Sequence, residues 1–474
     1  MTLSAKFVER VLRDLGGTEG AALCAALDAE PPVSVRLNPA KTGADTLPAG
    51  PDAGLPVPEA AGLPALAIAG RVPWSRDGRY LAVRPSFTLD PDFHAGAYYV
   101  QEASSQFVGH LLAAVRTEGA RILDLCAAPG GKTTLYASLA GPDGLVVANE
   151  IDRRRASVLA DNVRKWGTGN VAVTTCEPRA LGDFEAWFDV VAVDAPCSGE
   201  GMFRKDPDAR GEWSEGNVKQ CAARQDEILR EAWRALKPGG TLVYSTCTFN
   251  RDEDEGALER MAAWAGDEIA ESEETAVEDA WGIVCGRVGA FRTFRFYPHR
   301  TCGEGFFAAV ARKSFDAGGR VRAPKARRTV FAAVDRKTAG ELARWVRNPG
   351  GMRFAAVADT CYAWYAAQAD AVRTLSEALP VIYSGVALGQ VFKGVLKPDP
   401  ALAFFDGLNR GALPAAELDD EETLRFLRRQ DIAAGGLAEG MNLVCSRGRA
   451  LGFAKRIGAR VNNLYPNSLR IIKQ

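Results

Sequence analysis

The sequence has few of the residues that mark a metal site or a disulfide-stabilised scaffold. It contains three histidines and ten cysteines in 474 residues, and no two cysteines have Cys-x-x-Cys spacing. That pattern excludes the common structural zinc sites and a disulfide framework. We therefore predict no metal, and we expect most of the thiols to be reduced and buried.

Long apolar runs are also missing. No stretch approaches the ~20 apolar residues that a membrane span needs. Residues 1–7 lead directly into an amphipathic helical pattern rather than a signal peptide. The sequence thus predicts a cytoplasmic protein with no membrane partner, and a monomer is the default expectation.

The overall charge says nothing about a nucleic-acid partner, because 58 basic residues balance 59 acidic ones. The local charge says more, since residues 312–328 are strongly basic whereas residues 252–279 are acidic. An RNA partner would meet the first segment and avoid the second. A basic linker can equally be a solvated connection, so charge alone leaves both interpretations open.

The middle of the chain alternates short apolar runs with helical patterns, which is typical of a parallel sheet covered on both faces. Two further runs, residues 291–297 and 306–312, predict an antiparallel hairpin at the sheet edge. The predicted parallel strands are residues 121–126, 145–150, 170–176, 189–194 and 241–247. Five parallel strands with a terminal hairpin predict the Rossmann-like α/β sheet of S-adenosylmethionine methyltransferases.

Composition and pattern divide the chain into four parts. They are an N-terminal α+β extension (1–95), a catalytic domain (96–313), a basic linker (314–329) and a C-terminal α/β region (330–474).

Three predictions concern the C-terminal part. A capping-box pattern at residues 338–341 predicts a helix from there to Arg347, and residues 390–396 predict a strand. Basic residues near residues 462–466 (NNLYP) suit an RNA-contacting surface, although a plain globular tail explains the composition equally well.

The chain is organised around a glycine turn between a strand and a helix, residues 126–132 (CAAPGGK). Such a turn directs free backbone N–H groups at a ligand above the strand. A phosphate-binding P-loop needs a glycine where Cys126 stands, and the Gly-x-Gly-x-x-Gly spacing of a dinucleotide site is incomplete. A nucleoside cofactor without a pyrophosphate remains, and S-adenosylmethionine fits that description.

Ligands of open α/β sheets bind at the carboxyl ends of the strands. Glu150 ends the second strand about twenty residues after the glycine turn, where an acidic side chain can hold ribose hydroxyls. Glu177 follows the third strand and is positioned to meet the adenine amino group. A solvated surface glutamate is the alternative interpretation of Glu150.

The fourth and fifth strands end next to cysteines, in Asp194-Ala195-Pro196-Cys197 and Ser245-Thr246-Cys247. Cysteines are commonly inert core residues, but these two emerge at the ligand edge, where a sulfonium would raise the thiolate fraction. Nucleophilic catalysis is therefore favoured. It suits cytosine, whose carbon 5 becomes nucleophilic only after a thiolate adds at carbon 6.

With these motifs in order, the chain resembles the Sun-type (nucleolar-protein) RNA cytosine-5 methyltransferase family over most of residues 30–313. The segments that carry the resemblance are SVRLNP (34–39), YYVQEASS (98–105), residues 124–133, ANE (148–150), DAPCSGEGMFRK (194–205) and STCT (245–248).

The resemblance implies a role for each motif. It implies that Cys247 is the nucleophile, that Cys197 assists product release, and that Asp194 contacts both the cofactor and the target base. DNA cytosine methyltransferases use the Pro-Cys thiol as nucleophile, so both cysteines together point to RNA. The implied cofactor-binding positions are Cys126, Ala127, Ala128, Pro129, Gly130, Gly131, Lys132, Glu150, Glu177 and Asp194.

Residues 298–307 and 460–466 resemble the bacterial small-subunit rRNA branch of this family, with a PUA-like RNA-binding module at the C-terminus. The resemblance thus implies 5-methylcytosine formation in 16S rRNA or the 30S subunit. A tRNA methyltransferase with the same chemistry and a non-catalytic ribosome assembly factor remain as alternatives. His299 in this segment is either functional or structural.

Overall fold

The computed structural model describes residues 2–43 and 63–472, which form α/β structure arranged in four sheets. The predicted fold class is confirmed: a Rossmann-like sheet is flanked by an N-terminal α+β extension and a C-terminal α/β region. Within these residues, no helix combines the length and the apolar character that crossing a bilayer would require.

The N-terminal extension pairs helices with a four-stranded antiparallel sheet of order β2-β3-β1-β4. Its strands are β1 (Val33–Leu37), β2 (Ile68–Arg71), β3 (Gly78–Leu81) and β4 (Tyr98–Tyr99). Its helices are α1 (Ala5–Leu15), α2 (Gly17–Ala26), α3 (Pro39–Thr42) and α4 (Pro91–His94). Both α3 and α4 begin with proline, after an Asn or Asp side chain that caps the helix.

The central sheet begins with five parallel strands, each followed along the chain by a helix. The strands are β5 (Arg121–Asp124), β6 (Leu145–Asn149), β7 (Val171–Thr174), β8 (Phe188–Asp194) and β9 (Leu236–Thr246). The helices around them are α5 (Phe107–Ala113), α6 (Gly131–Ala140), α7 (Arg153–Trp166), α8 (Pro178–Gly182), α9 (Pro207–Glu212) and α10 (Glu215–Ala235). The parallel order is β7-β6-β5-β8-β9.

Antiparallel strands complete this sheet, as the hairpin prediction required. After α11 (Glu255–Ala265) come β10 (Ile269–Ala270), β11 (Val284–Val288), β12 (Phe291–Phe296) and β13 (Phe306–Lys313). Strand β13 pairs with β9, β12 pairs with β13, and β11 forms the outer edge. Buried side chains alternate between the two sheet faces, and each face packs against its own layer of helices.

The C-terminal region adds one strand to the central sheet, which is the sheet of the predicted catalytic domain and is called the catalytic sheet below. Its elements are β14 (Ala332–Ala333), α12 (Arg336–Ala343), β15 (Met352–Val357), β16 (Thr360–Tyr365), α13 (Ala369–Ala378), β17 (Val381–Ser384), β18 (Val386–Phe392), β19 (Val395–Pro398) and α14 (Pro400–Phe404). Strands β14-β15-β16-β18-β19 form a separate sheet, whereas β17 pairs with β7 at the far edge of the catalytic sheet.

The last sheet has the order β20-β21-β22-β23 and docks on the N-terminal extension. Its elements are β20 (Ala415–Glu417), α15 (Asp420–Leu427), β21 (Gly440–Ser446), β22 (Arg449–Ile457) and β23 (Arg460–Asn463). Arg449 pairs with Asp92 at 2.8 Å, and His94 contacts the Tyr465 hydroxyl at 3.0 Å. Tyr465 is fully buried there, so this side chain is not part of an RNA-contacting surface and has the packing role of a globular tail.

Two local predictions in the C-terminal region differ from the structure. The helix predicted from the capping box is present, but it runs from Arg336 to Ala343, because the Asp335 side chain accepts a hydrogen bond from the Thr338 N–H and caps the helix earlier. Residues 390–396 form a hairpin, not one strand. Lys393 and Gly394 both have positive φ and supply the tight turn between β18 and β19.

Candidate active site

The two cysteines predicted to share an edge of the sheet lie in contact. Strands β8 and β9 are parallel neighbours, with Asp194 in register with Ser245. The carboxyl ends of the two strands therefore lie side by side, and so do the loops that follow them. The Sγ atoms of Cys197 and Cys247 are 3.3 Å apart. That hydrogen bond, together with burial, raises the pKa of the Cys197 thiol well above its ordinary value.

A buried carboxylate holds the loop that carries Cys197. Glu253 accepts hydrogen bonds from the Ser198 N–H at 2.9 Å and from the Gln225 amide at 2.9 Å. Gln225 also donates to the Pro196 carbonyl at 3.0 Å, so the residues on both sides of Cys197 are tied down. Since Ser198, Gln225 and Glu253 are buried, the two bonds to the carboxylate are costly to lose.

A second network closes the same loop from the Cys247 side. The Asn250 amide lies within hydrogen-bonding distance of Thr248, Glu200 and Glu253. The Gly201 N–H donates to the Cys247 carbonyl at 2.8 Å. Gln225, Asn250 and Glu253 were not predicted from the sequence. The only signal for the last two was the run of polar residues directly after the Thr-Cys motif.

The glycine turn opens helix α6 as predicted. Gly130 has a φ of 111°, and a side chain there would press against Leu159, so the position requires glycine. The first turn of α6 exposes backbone N–H groups that have no partner within the helix. Asp124, at the end of β5, accepts a hydrogen bond from Thr133 at 2.7 Å. Burial raises the pKa of Asp124 to about 7, and it raises that of the Cys126 thiol as well.

A lysine–aspartate pair connects the glycine turn to the cysteine loops. Lys132 Nζ lies 2.8 Å from Asp194 Oδ2, and Ser245 donates a hydrogen bond to Asp194 Oδ1 at 2.8 Å. Burial alone would lower the pKa of Lys132, but the Asp194 carboxylate outweighs it and the pKa is raised. Cys247 acts on Lys132 in the same direction, so an ammonium group faces the thiol pair.

The two predicted glutamates differ in environment. Glu150 follows β6 and is 4% exposed, with its carboxylate bonded to the Asp152 N–H at 3.0 Å and 3.3 Å from Arg155. It is therefore not a solvated surface residue. Glu177 is exposed at the N-terminus of α8 and makes no side-chain cap there. Its assignment to the adenine remains a prediction.

An arginine of the N-terminal extension supports the glycine turn. Arg36 is buried, donates to the Gly131 carbonyl at 3.0 Å and to Gln101 Oε1 at 2.7 Å, and stacks over Trp166 at 4.5 Å. The motif SVRLNP marked this residue in the sequence, but its partners are distant in the chain and could not be inferred.

Two further expectations concern His299 and metal ions. His299 Nε2 lies 2.8 Å from the Glu19 carboxylate on helix α2, and its ring packs beside Tyr297. This contact favours the structural interpretation of His299. Among residues 2–43 and 63–472, no three metal-ligating side chains cluster in a way that could hold an ion.

Three family models match successive parts of the chain. Residues 3–103 match the N-terminal domain of 16S rRNA methyltransferase RsmF, and residues 111–312 match 16S rRNA methyltransferase RsmB/F. Residues 414–471, which contain the last sheet, match the RsmF PUA domain.

Curated relatives match over nearly the whole length. Ribosomal RNA small subunit methyltransferase F of Shewanella loihica is 32% identical over 418 residues, which is 84% of this chain and 83% of the relative. The protein of the same name from Escherichia coli O127:H6 is 32% identical over 425 residues, covering 84% of each.

Solved structures share the central architecture. A methyltransferase homologue from Pyrococcus horikoshii is 27% identical with a TM-score of 0.53, covering 65% of this chain and 95% of that one. NSun6 from the same organism, solved with SFG, has a TM-score of 0.53 at 20% identity, covering 65% and 98%, and so shows a similar fold.

Proposed function

Because the chain belongs to the ribosomal RNA small subunit methyltransferase F family, we propose that it methylates carbon 5 of a cytosine in 16S rRNA, through a transient covalent bond from Cys247. The contact that carries this proposal is the 3.3 Å approach of two thiols at the ligand edge of the sheet. The catalytic residues are Cys247, Cys197 and Asp194, and the reaction takes place in the cytoplasm, where ribosomal subunits are found.

The methyl donor of this family is S-adenosylmethionine, and the residues around the glycine turn fit it. Backbone N–H groups at the start of α6 suit the methionine carboxylate, and Glu150 suits the ribose hydroxyls. Asp124 Oδ1 is buried without a partner in the part of the chain that the structure describes, and it suits the methionine ammonium. When bound, the cofactor supplies an electrophilic methyl group on a sulfonium.

Cys247 is better suited than Cys197 to attack. Either sulfur could donate in the 3.3 Å contact, but the raised pKa of Cys197 favours a proton on Cys197, whose S–H would then stabilise a thiolate on Cys247. The Lys132 ammonium adds a positive charge on the same side. In the proposed reaction Cys247 is the attacking sulfur, and Cys197 remains a thiol during the attack.

The covalent chemistry proceeds in two halves. The Cys247 thiolate forms a bond to carbon 6 of cytosine, and the displaced electron pair makes carbon 5 nucleophilic enough to take the methyl group. A base then removes the proton at carbon 5, the double bond between carbons 5 and 6 re-forms, and the carbon–sulfur bond breaks to return the thiolate. Cys197, in contact with the attacking sulfur, assists this release, while Asp194 contacts the base.

The target cytosine is flipped from its stack to reach the cysteines. Basic residues of the linker, including Arg320 and Arg322, bind the phosphate backbone, so affinity should fall with added salt. The PUA domain at residues 414–471 is the other RNA-binding part.

The roles of the two cysteines are tested by trapping the intermediate on unmethylated 16S rRNA. Cys197→Ala should accumulate a protein–RNA adduct that survives denaturing electrophoresis, because release is slowed after the bond has formed. Cys247→Ala should form no adduct and transfer no methyl group. Cys221→Ala, which removes a half-buried thiol on α10, should behave as wild type. An adduct in Cys247→Ala but not in Cys197→Ala would reverse the two roles.

The substrate is tested by methyl transfer from labelled S-adenosylmethionine to 30S subunits, bare 16S rRNA and tRNA. We expect label in 16S rRNA, whether bare or assembled, and bisulfite sequencing should locate it on cytosine. Label in tRNA alone would establish the tRNA methyltransferase instead. No label in any RNA, with normal ribosome assembly in cells that carry only Cys247→Ala, would favour the non-catalytic assembly factor.

A further inference from the structure

A positively charged cleft opens where three parts of the chain meet. Its volume is about 410 Å³, and its walls come from the N-terminal extension, the α12–β15 loop, the segment between β19 and β20, and the β21–β22 turn. The charged side chains that line it are Lys41, Arg347, Arg410, Arg449 and Asp406. Four basic side chains and one carboxylate thus line the cleft, with Arg449 also paired to Asp92 at 2.8 Å, and the cleft includes no residue of the glycine turn or of the two cysteine loops.

Two of these arginines are exposed at the mouth of the cleft. Arg347 donates to the backbone carbonyl of Asp406, and Arg410 donates to the Gly448 carbonyl at 3.0 Å. Bonds to neutral carbonyl oxygens orient a guanidinium but leave its charge in place. Both side chains therefore present oriented N–H donors and positive charge to the cleft.

Lys41, inside the cleft, has more positive than negative side chains around it. Lys41 Nζ donates to the carbonyls of Ala95 and Lys165, both at 2.8 Å. Burial, with smaller contributions from Lys165, Arg410 and Arg449, lowers the pKa of Lys41 to about 7, although Asp406 opposes the change. An anion in the cleft would relieve this repulsion.

We propose that this cleft binds a phosphate group of the RNA substrate. Guanidinium forks and a lysine ammonium are the donors that recognise phosphate oxygens. The cleft is larger than a phosphate group alone, so the flanking sugars can enter with it. This inference rests on the proposed RNA substrate and gives the cleft an anchoring role, separate from the chemistry at the cysteines.

The test reverses charge at the cleft mouth and compares it with the same change elsewhere. The full-length variant Arg347→Glu/Arg410→Glu is measured beside Arg287→Glu/Arg373→Glu, whose arginines are solvent-facing residues on β11 and α13 outside the cleft. Binding to an unmodified 16S rRNA transcript is followed across a salt series, and methyl transfer gives KM and kcat. Arg347→Lys/Arg410→Lys keeps the charge and should retain most of the affinity.

For the cleft variant we expect KM for RNA to rise by roughly tenfold or more with kcat unchanged. The slope of log affinity against log salt should fall by about 0.7 for each phosphate group that the variant no longer neutralises. The control pair should change neither quantity by a comparable amount. An equal loss of affinity in both pairs would overturn the inference, because it would reflect net charge alone.

Calorimetric titration with sodium phosphate separates RNA from a free anion. If the cleft variant loses phosphate binding but keeps wild-type KM and salt slope for RNA, the cleft is a free-anion site and the inference is wrong. The proposed function fails differently: wild-type protein would methylate no RNA, whatever the binding data show. If wild-type protein methylates 16S rRNA and the cleft variant has the wild-type KM and salt slope, the proposed function stands and the proposed role of the cleft is wrong.

Discussion

Replacing Glu253 by glutamine tests how firmly the Cys197 loop must be held. The Glu253 side chain is fully buried and only accepts hydrogen bonds, from Ser198 and Gln225 on one oxygen and from Asn250 on the other. Glutamine has the same shape but offers one acceptor and one N–H₂ group. In either orientation, the new N–H₂ group faces buried N–H donors: those of Ser198 and Gln225 in one, that of Asn250 in the other.

A buried donor left without a partner costs about 1–3 kcal/mol. If the strain is relieved by movement of the loop, Cys197 leaves its 3.3 Å contact with Cys247 and release slows. If this energy is added to the activation free energy of product release, the release rate falls by roughly 5- to 150-fold. Attack by Cys247 should be less affected, because its strand is held by the sheet.

The assay is a single-turnover reaction on 16S rRNA, with the adduct and the methylated product quantified together. We expect Glu253→Gln to form the adduct and to release product slowly, as a weaker form of Cys197→Ala. Leu375→Ala, which removes a buried side chain of α13, should destabilise the protein by about 2–5 kcal/mol without accumulating adduct. Normal release by Glu253→Gln, with normal unfolding free energy, would refute the reasoning.

Two further predictions concern packing and pH. In Gly201→Ala the new methyl group would overlap the Gly305 carbonyl, so we expect about 1–3 kcal/mol lower unfolding free energy and reduced methyl transfer. Gly216→Ala, whose methyl group meets nothing closer than 3.8 Å at the start of α10, should lower neither in urea unfolding and activity assays; equal losses would contradict the packing argument. His94 contacts Tyr465, and burial lowers the pKa of His94 to about 4. Between this value and the value near 6.5 in the unfolded chain, the unfolded state binds more protons than the folded state. The free energy of unfolding therefore falls as the pH falls through this range. Urea unfolding at about pH 7.5 and 5 should show a loss of about 2 kcal/mol from this group, and His94→Gln should lack it; an identical pH dependence in both proteins would exclude His94.

The catalytic sheet could be predicted from the sequence because each parallel strand is a short apolar run that ends in chemically distinctive residues. Strand position alone then brought Cys197 and Cys247 to one edge, as the register of Asp194 with Ser245 requires. Here local pattern and tertiary structure agree, since a buried parallel strand has few alternatives.

The errors arose where a distant partner or a single backbone angle decides the structure. Lys393 adopts a positive φ beside Gly394, which turns an apparently continuous strand into a hairpin. Strand β17 lies more than two hundred residues from β7, so no local pattern indicates that it extends the catalytic sheet. Tyr465 is buried against His94, although its basic neighbourhood resembles a surface.

The same dependence on distant contacts makes the N-terminal extension part of the proposed cofactor site. Asn38 donates to the Trp166 carbonyl at 2.9 Å, the Trp166 ring lies beneath Arg36, and Arg36 donates to Gly131 at the start of α6. Arg36 is buried away from water, which lowers its pKa to about 10. Its positive charge therefore depends on these contacts. A glycine turn needs a fixed backbone to hold a ligand by its N–H groups, and this turn is held by a guanidinium from the extension. The catalytic domain without its extension would therefore keep the motif but lose the geometry that makes it a binding site.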